Sequence, residues 1–326
     1  MEGIYLFYGQ ETFLIDDSVK KLKKSFGKLV EGINFIKIDE SNVNQLISNI
    51  ETPCFGFEKK LIVVRESGLF KKDGKKKSSQ LTSLVESVAS YIADNIDSIL
   101  QDNVIIFVES EVEKNTLYKT IEQYGKVINF EPEKLPNLIK RIRKVCSAYK
   151  VEISEYDSQY LIECCGTNLQ DIMNELRKLI EYSGENGTIS KQDIDMLTTK
   201  QIDSVIFDLT DNLGKKDIKK AMDVFYNLVY QKEPVQKILI TLYNHFKKLY
   251  IVKIALQNNE NIAEMLKLKP NQTFLVSKYR TQAGYFNIRE LRKILEELID
   301  LDYNYKIGLI DLNVGIEAIL CRYCGK

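Results

Sequence analysis

Apolar residues in the first part of this chain fall in short runs separated by segments of helical spacing. The runs are 4–8, 34–38, 60–64, 104–107 and 126–130, and four of them are almost uninterrupted, as strands buried on both faces are. Between them, 16–26, 43–50, 81–92 and 115–124 carry helical periodicity or helix-boundary residues. This alternation predicts an α/β domain, a parallel sheet with helices on both faces. At Glu131-Pro132-Glu133-Lys134-Leu135-Pro136 it stops, because neither proline can continue a regular element.

Everything beyond that break reads as helix. Residues 135–149 form one segment, and 154–165 form another, with Ser154 as N-cap and Gly166 past its end. In 169–182 one face collects Leu169, Ile172, Met173, Leu176, Leu179 and Ile180. A turn over 184–190 then leads into a short helix capped by Ser190, with Asp193 as the second half of a loose capping box. From about Gln201 new stripes begin: Ile202, Val205, Ile206, Leu209 and Leu213, then Ile218 to Leu228, then a long helix opened by Pro234, then Ile288 to Leu298. The last is continued by Asp302 and Lys306, spaced to pair across one turn. The expected organisation is an α/β domain over 1–140, a small helical bundle over 141–200 and a second all-α domain over 201–326.

Composition narrows the function classes. With 326 residues, several domains are expected, and 44% hydrophobic with 28% charged residues is the make-up of a soluble globular protein. Lys+Arg and Asp+Glu are both 46, so no global field draws the chain to nucleic acid or acidic lipid, and contact with either must come from a local patch. No apolar stretch approaches the ~20 residues of a membrane span, and no signal-peptide pattern opens the chain, so a cytoplasmic location is expected. The lysine-rich segment 71–79 reads as a solvated connector. Cys321 and Cys324 form a lone C-x-x-C without a second pair, a poor metal site. The one histidine, His245, lies within helical periodicity and is expected to pack.

The strand Tyr5-Leu6-Phe7-Tyr8 runs through Gly9 into a helix, where a nucleotide-binding protein places its phosphate loop. A loop of that kind needs glycines to turn N–H groups onto phosphate, a lysine and a magnesium-binding hydroxyl. Here Phe13, Leu14 and Ile15 are bulky, while Glu11, Asp16 and Asp17 repel a triphosphate. The strand Val104-Ile105-Ile106-Phe107-Val108-Glu109 offers one carboxylate where hydrolysis needs two. No nucleotide cofactor, metal or catalytic residue is expected. The conspicuous surface feature is instead Thr52-Pro53-Cys54-Phe55-Gly56-Phe57-Glu58, two aromatics around a glycine between a helix and a strand. If exposed, it is an apolar plug for a partner's pocket; if folded back, it is sheet-edge core, and of the two rings Phe57 is the one favoured for the core.

Taken in order, the segments Tyr5 to Leu14, Thr52 to Val64, Val104 to Glu109, Gly166-Thr167-Asn168-Leu169 with Glu175-Leu176-x-Lys178, and Asp302-x-x-x-Lys306-x-Gly308 resemble the delta-subunit family of bacterial DNA polymerase III clamp loaders. The likeness spans essentially the whole chain. It implies a degenerate AAA+ domain, a helical lid and a C-terminal collar that joins gamma/tau-type and delta-prime-type subunits in a hetero-pentamer. It also implies a subunit that binds the beta sliding clamp and opens it for loading on primed DNA, without hydrolysing ATP. The family's clamp-binding pair, leucine then phenylalanine, maps onto Cys54 and Phe55, with Pro53 before it and Phe57 available to share the anchoring. Where active relatives carry a lid arginine, this chain has Gln170, and no Ser-Arg-Cys finger motif occurs. Two rival readings remain: an active AAA+ ATPase, and a helical nucleic-acid adaptor using the basic, aromatic stretch Lys267, Lys269, Phe274, Lys278, Tyr279 and Arg280.

Overall fold

The structure, a computed structural model, describes residues 3–71 and 79–324, so most of the lysine-rich segment lies outside the described residues. The chain divides into two compact units, Met1–Pro132 and Glu133–Lys326. The division falls at the proline break, and the expected edge at 140 lies inside the first helix of the second unit.

In the first unit the order is β1 (Gly3–Tyr8), α1 (Thr12–Ser25), β2 (Phe35–Ile38), α2 (Leu46–Glu51), β3 (Lys60–Arg65), α3 (Ser79–Asp94), α4 (Ile96–Asp102), β4 (Asn103–Glu109), α5 (Thr116–Tyr124) and β5 (Lys126–Asn129). A single 3-10 turn, Val43–Gln45, precedes α2. All five strands are parallel, in the order β2-β3-β4-β1-β5. The side-chain period of two divides each central strand between two cores. Ile4, Leu6, Ile62, Val64, Ile105 and Phe107 pack with α2 to α5, while Tyr5, Phe7, Leu61, Val63, Val104 and Ile106 pack with Ile15, Val19 and Leu22 of α1. Helices therefore cover both faces, several on one and α1 on the other.

The second unit contains α6 (Leu135–Ala148), β6 (Glu152–Ile153), α7 (Glu155–Cys165), α8 (Leu169–Ser183), β7 (Thr188–Ile189), α9 (Lys191–Leu197), α10 (Ile202–Gly214), α11 (Ile218–Tyr230), α12 (Val235–Asn258), α13 (Ile262–Met265), α14 (Leu275–Gly284), α15 (Ile288–Lys306) and α16 (Leu312–Cys324). The caps form as their residue types require: Ser154 accepts from the Asp157 N–H at 2.9 Å, and Ser190 with Asp193 makes a full capping box. The turn expected over 184–190 also holds β7, which pairs with β6 in a two-residue parallel ribbon.

The core of the C-terminal helices is built along α12, whose Ile238, Leu242, Phe246, Leu249 and Val252 are fully buried. His245 is buried among them, 2.8 Å from Gln282 Oε1 through Nε2 and edge-on to Phe207. Desolvation pushes its pKa down to about 4, so it is neutral and structural.

Candidate functional site

At the carboxyl end of β1 the backbone closes on itself. Gly9 has φ +125, and a Cβ there would stand 2.4 Å from the Phe130 carbonyl oxygen, so only glycine fits. The Gly9 N–H donates to Glu109 O at 3.2 Å, the Glu11 N–H to Phe130 O at 3.0 Å, and the Phe130 N–H to Tyr8 O at 2.7 Å. The Leu14 and Ile15 N–H groups turn back to Glu11 O. The Gly9 and Glu11 N–H groups at this turn are thus satisfied by the protein's own carbonyls. Asp16 pairs with Arg65 at 2.7 Å and Asp17 with Lys21 at 2.6 Å.

The neighbouring strand ends hold a second carboxylate that sequence order hides. Parallel pairing sets Arg65 beside Val108, so Glu66-Ser67 and Glu109-Ser110 leave the sheet side by side. They exchange bonds. Glu109, 3% exposed, accepts from the Ser67 N–H at 3.0 Å and its hydroxyl at 2.6 Å, and Ser110 donates to Glu66. Burial pushes the Glu109 carboxyl up to about 7, with nearby Glu66 adding to the rise and the Ser67 bonds and Lys71 opposing it. Both carboxylates are held by serines, and among the described residues no group of three or more His, Cys, Asp or Glu is arranged to hold a metal.

The loop between α2 and β3 has a different character. Phe55 is 78% exposed and stands at its apex. Gly56 follows in the left-handed region at φ +78, with open space around it. Phe57 and Cys54 are half-buried, and Pro53 is exposed. The Cys54 thiol donates to Lys59 O at 3.6 Å, and burial pushes its pKa up, so it is a packing thiol and no nucleophile.

Beneath the apex the loop is bolted down. Lys60, 2% exposed, donates from Nζ to Asn49 O at 2.6 Å and to Thr52 O, carbonyls at the carboxyl end of α2. A cation there satisfies open acceptors and meets the negative end of the helix dipole. Lys59 Nζ reaches Leu100 O at 3.1 Å, and Asn103 Nδ2 reaches Ile50 O at 3.3 Å. The loop therefore has a fixed base and one aromatic ring left in water at its apex.

Residues 5–131 match the family described as DNA polymerase III, delta subunit, and residues 203–323 match DNA polymerase III delta subunit, C-terminal domain. The chain belongs to the DNA polymerase III delta-subunit family. It is 24% identical over 328 residues to DNA polymerase III subunit delta of Bacillus subtilis (strain 168), covering 98% of this chain and 92% of the relative. To the probable DNA polymerase III subunit delta of Aquifex aeolicus (strain VF5) it is 25% identical over 320 residues, covering 95% and 88%. The solved Bacillus subtilis DNA clamp loader delta protein shares the fold, with a TM-score of 0.74 at 22% identity, over 100% of this chain and 96% of that one.

Elsewhere in this delta-family chain, the basic stretch in α14 does not present itself as one surface. Tyr279 is 2% exposed and packs against Phe207 and His245, so its ring has no face for a nucleobase. Lys278 pairs with Glu163 of α7 at 2.6 Å, leaving Arg280 as the exposed member of the three. Helical spacing hides this outcome, because adjacent residues in a helix point about 100° apart. The Lys278–Glu163 pair belongs to a polar junction where Lys200 also reaches Asp195 at 3.0 Å and the Tyr160 hydroxyl at 3.2 Å. Gln170 spends its side chain on Asn174, 2.8 Å away in the same helix. Cys324 is buried against Leu213 O while Cys321 is exposed, and among the described residues no helix is long and apolar enough to cross a membrane.

Proposed function

We propose that this chain acts as the delta subunit of a clamp loader, binding the beta sliding clamp through the α2–β3 tip and helping to open it for placement on primed DNA, while ATP is hydrolysed in neighbouring gamma/tau-type subunits. A delta-prime-type subunit completes the hetero-pentamer in this reading. The second unit is then divided into a lid, 141–200, and a collar, 201–326, that assembles with the neighbours. The observation that carries the tip assignment is Phe55, held in water at the apex of a loop bolted by Lys60. Pro53 and Cys54 shape the approach to the ring, and Phe57 backs it from the groove below. Opening follows from differential contact: the tip shifts the clamp toward the open form by as much as it binds that form better.

Phe55→Ala should weaken binding to purified clamp by ~1–2 kcal/mol, the scale of an aromatic anchor. Because the ring is mostly in water, the thermal midpoint of the free subunit should not move. Unchanged clamp affinity in that variant would overturn the tip assignment.

A further inference from the structure

Beside the tip, the end of α1 and the α2–β3 loop enclose a groove of 460 Å³, lined by Ser25, Phe26 and Lys28 on one side and Phe57, Glu58 and Lys59 on the other. Its floor is rigid. Asn34, 2% exposed, accepts from the Val30 N–H at 2.6 Å and donates to Lys28 O at 2.9 Å, fixing the turn that carries Lys28.

Lys28 and Lys59 bring two cations to the lining and Glu58 one carboxylate. The chain leading into it is basic: Lys20, Lys21, Lys23, Lys24 and Lys28 fall within nine residues, with no carboxylate from 18 to 30. Lys21 is paired with Asp17, and Lys23 lies 4.4 Å over the Phe35 ring. Lys20, Lys24 and Lys28 are exposed, and none has an ion-pair partner among the described residues. Lysines at a helix carboxyl end complement the dipole, which accounts for one or two of them. It does not account for Lys28, which lies past the helix and lines a cavity with two phenyl rings. Lysines placed one turn apart also repel each other until an anion arrives.

We propose that this groove is a second contact point for the partner that Phe55 enters, receiving a short acidic segment whose carboxylate pairs with Lys28 and Lys24 while an apolar neighbour lies on Phe26 and Phe57. The inference rests on the tip reading above. The groove runs into the tip loop itself, so one partner surface can reach both. A phosphodiester track fits it less well, because the Phe26 and Phe57 rings offer apolar contact that a phosphate does not use, whereas an acidic segment brings an apolar neighbour to meet them.

Clamp binding by the full-length chain, measured at low and high salt for wild type, Phe55→Ala and Lys24→Ala/Lys28→Ala, tests this. The double-lysine variant should bind about tenfold more weakly at low salt, with the deficit closing at high salt, whereas Phe55→Ala should be weaker at both. A double-lysine variant that binds as wild type while Phe55→Ala is impaired overturns the groove and leaves the tip standing. A salt-dependent loss in the double-lysine variant with Phe55→Ala unaffected supports the groove and removes the tip. Normal clamp binding with loss of primed-DNA binding by the assembled loader overturns the proposal in favour of phosphate contact.

Discussion

Lys60 carries its charge into the protein at the one point where the helix before the tip has run out of donors. The desolvation that lowers its pKa is offset by the Asn49 and Thr52 carbonyls and by the end of α2. Lys60→Met keeps the length and apolar stem but leaves both acceptors without that donor. A loss of about 1–2 kcal/mol in stability is expected, near the lower end for buried orphaned acceptors because Thr52 is open to water. Chemical denaturation would show it. On the tip reading proposed above, clamp affinity should fall as well, since the bolted loop presents Phe55. In sequence, Lys60 reads as the polar first residue of a strand; its role depends on α2 ending beside it, which no local pattern records. Of the two rings, the sequence favours Phe57 as the one folded back, but gives no geometry for the separation. The turn at Gly56 separates them, sending one ring to water and the other to the groove.

Between elements, the reciprocal Glu-Ser exchange at the ends of β3 and β4 has a pH consequence. With its carboxyl held at about 7 against an ordinary 4.5, Glu109 keeps its proton in the folded state where the unfolded chain gives it up. Its contribution to stability is therefore complete below about pH 4.5 and is lost as the pH rises through about 7. Glu109→Gln retains acceptors for Ser67 and cannot ionise. It should flatten the pH dependence of the first unit's stability across that window and raise it above pH 7, read by denaturant midpoints at several pH values. The ceiling is roughly 1.4 kcal/mol per unit of displacement. The strands themselves were legible because buried parallel strands are apolar on both faces, and Ser154, Ser190 and Pro234 marked their helices chemically. Helix α4 was not legible, since Asn95 starts it without a side-chain cap within three residues of the end of α3. Nor was the β6–β7 ribbon, as two residues carry no period. The Glu66–Glu109 neighbourhood was hidden for the same kind of reason: it exists through strand order, and strand order is a non-local fact.

Over the whole molecule, the equal count of acidic and basic residues conceals local asymmetry, and the lysines of α1 are the clearest case. The break between the two units was readable from Pro132 and Pro136. The helical half was readable as helices but not as surfaces, which is why Tyr279 looked available and is buried. The closed turn at Gly9 bears on timing. With the Gly9 and Glu11 N–H groups donating to the Glu109 and Phe130 carbonyls, the turn is ill suited to receive from a nucleotide the signal of when to grip and when to let go. Its affinity for the clamp, measured alone, should be the same with and without ATP. On the loader reading proposed above, the rhythm of clamp capture and release is imposed mechanically by the adjoining subunits, with this chain as the passive arm that their motion exposes or withdraws.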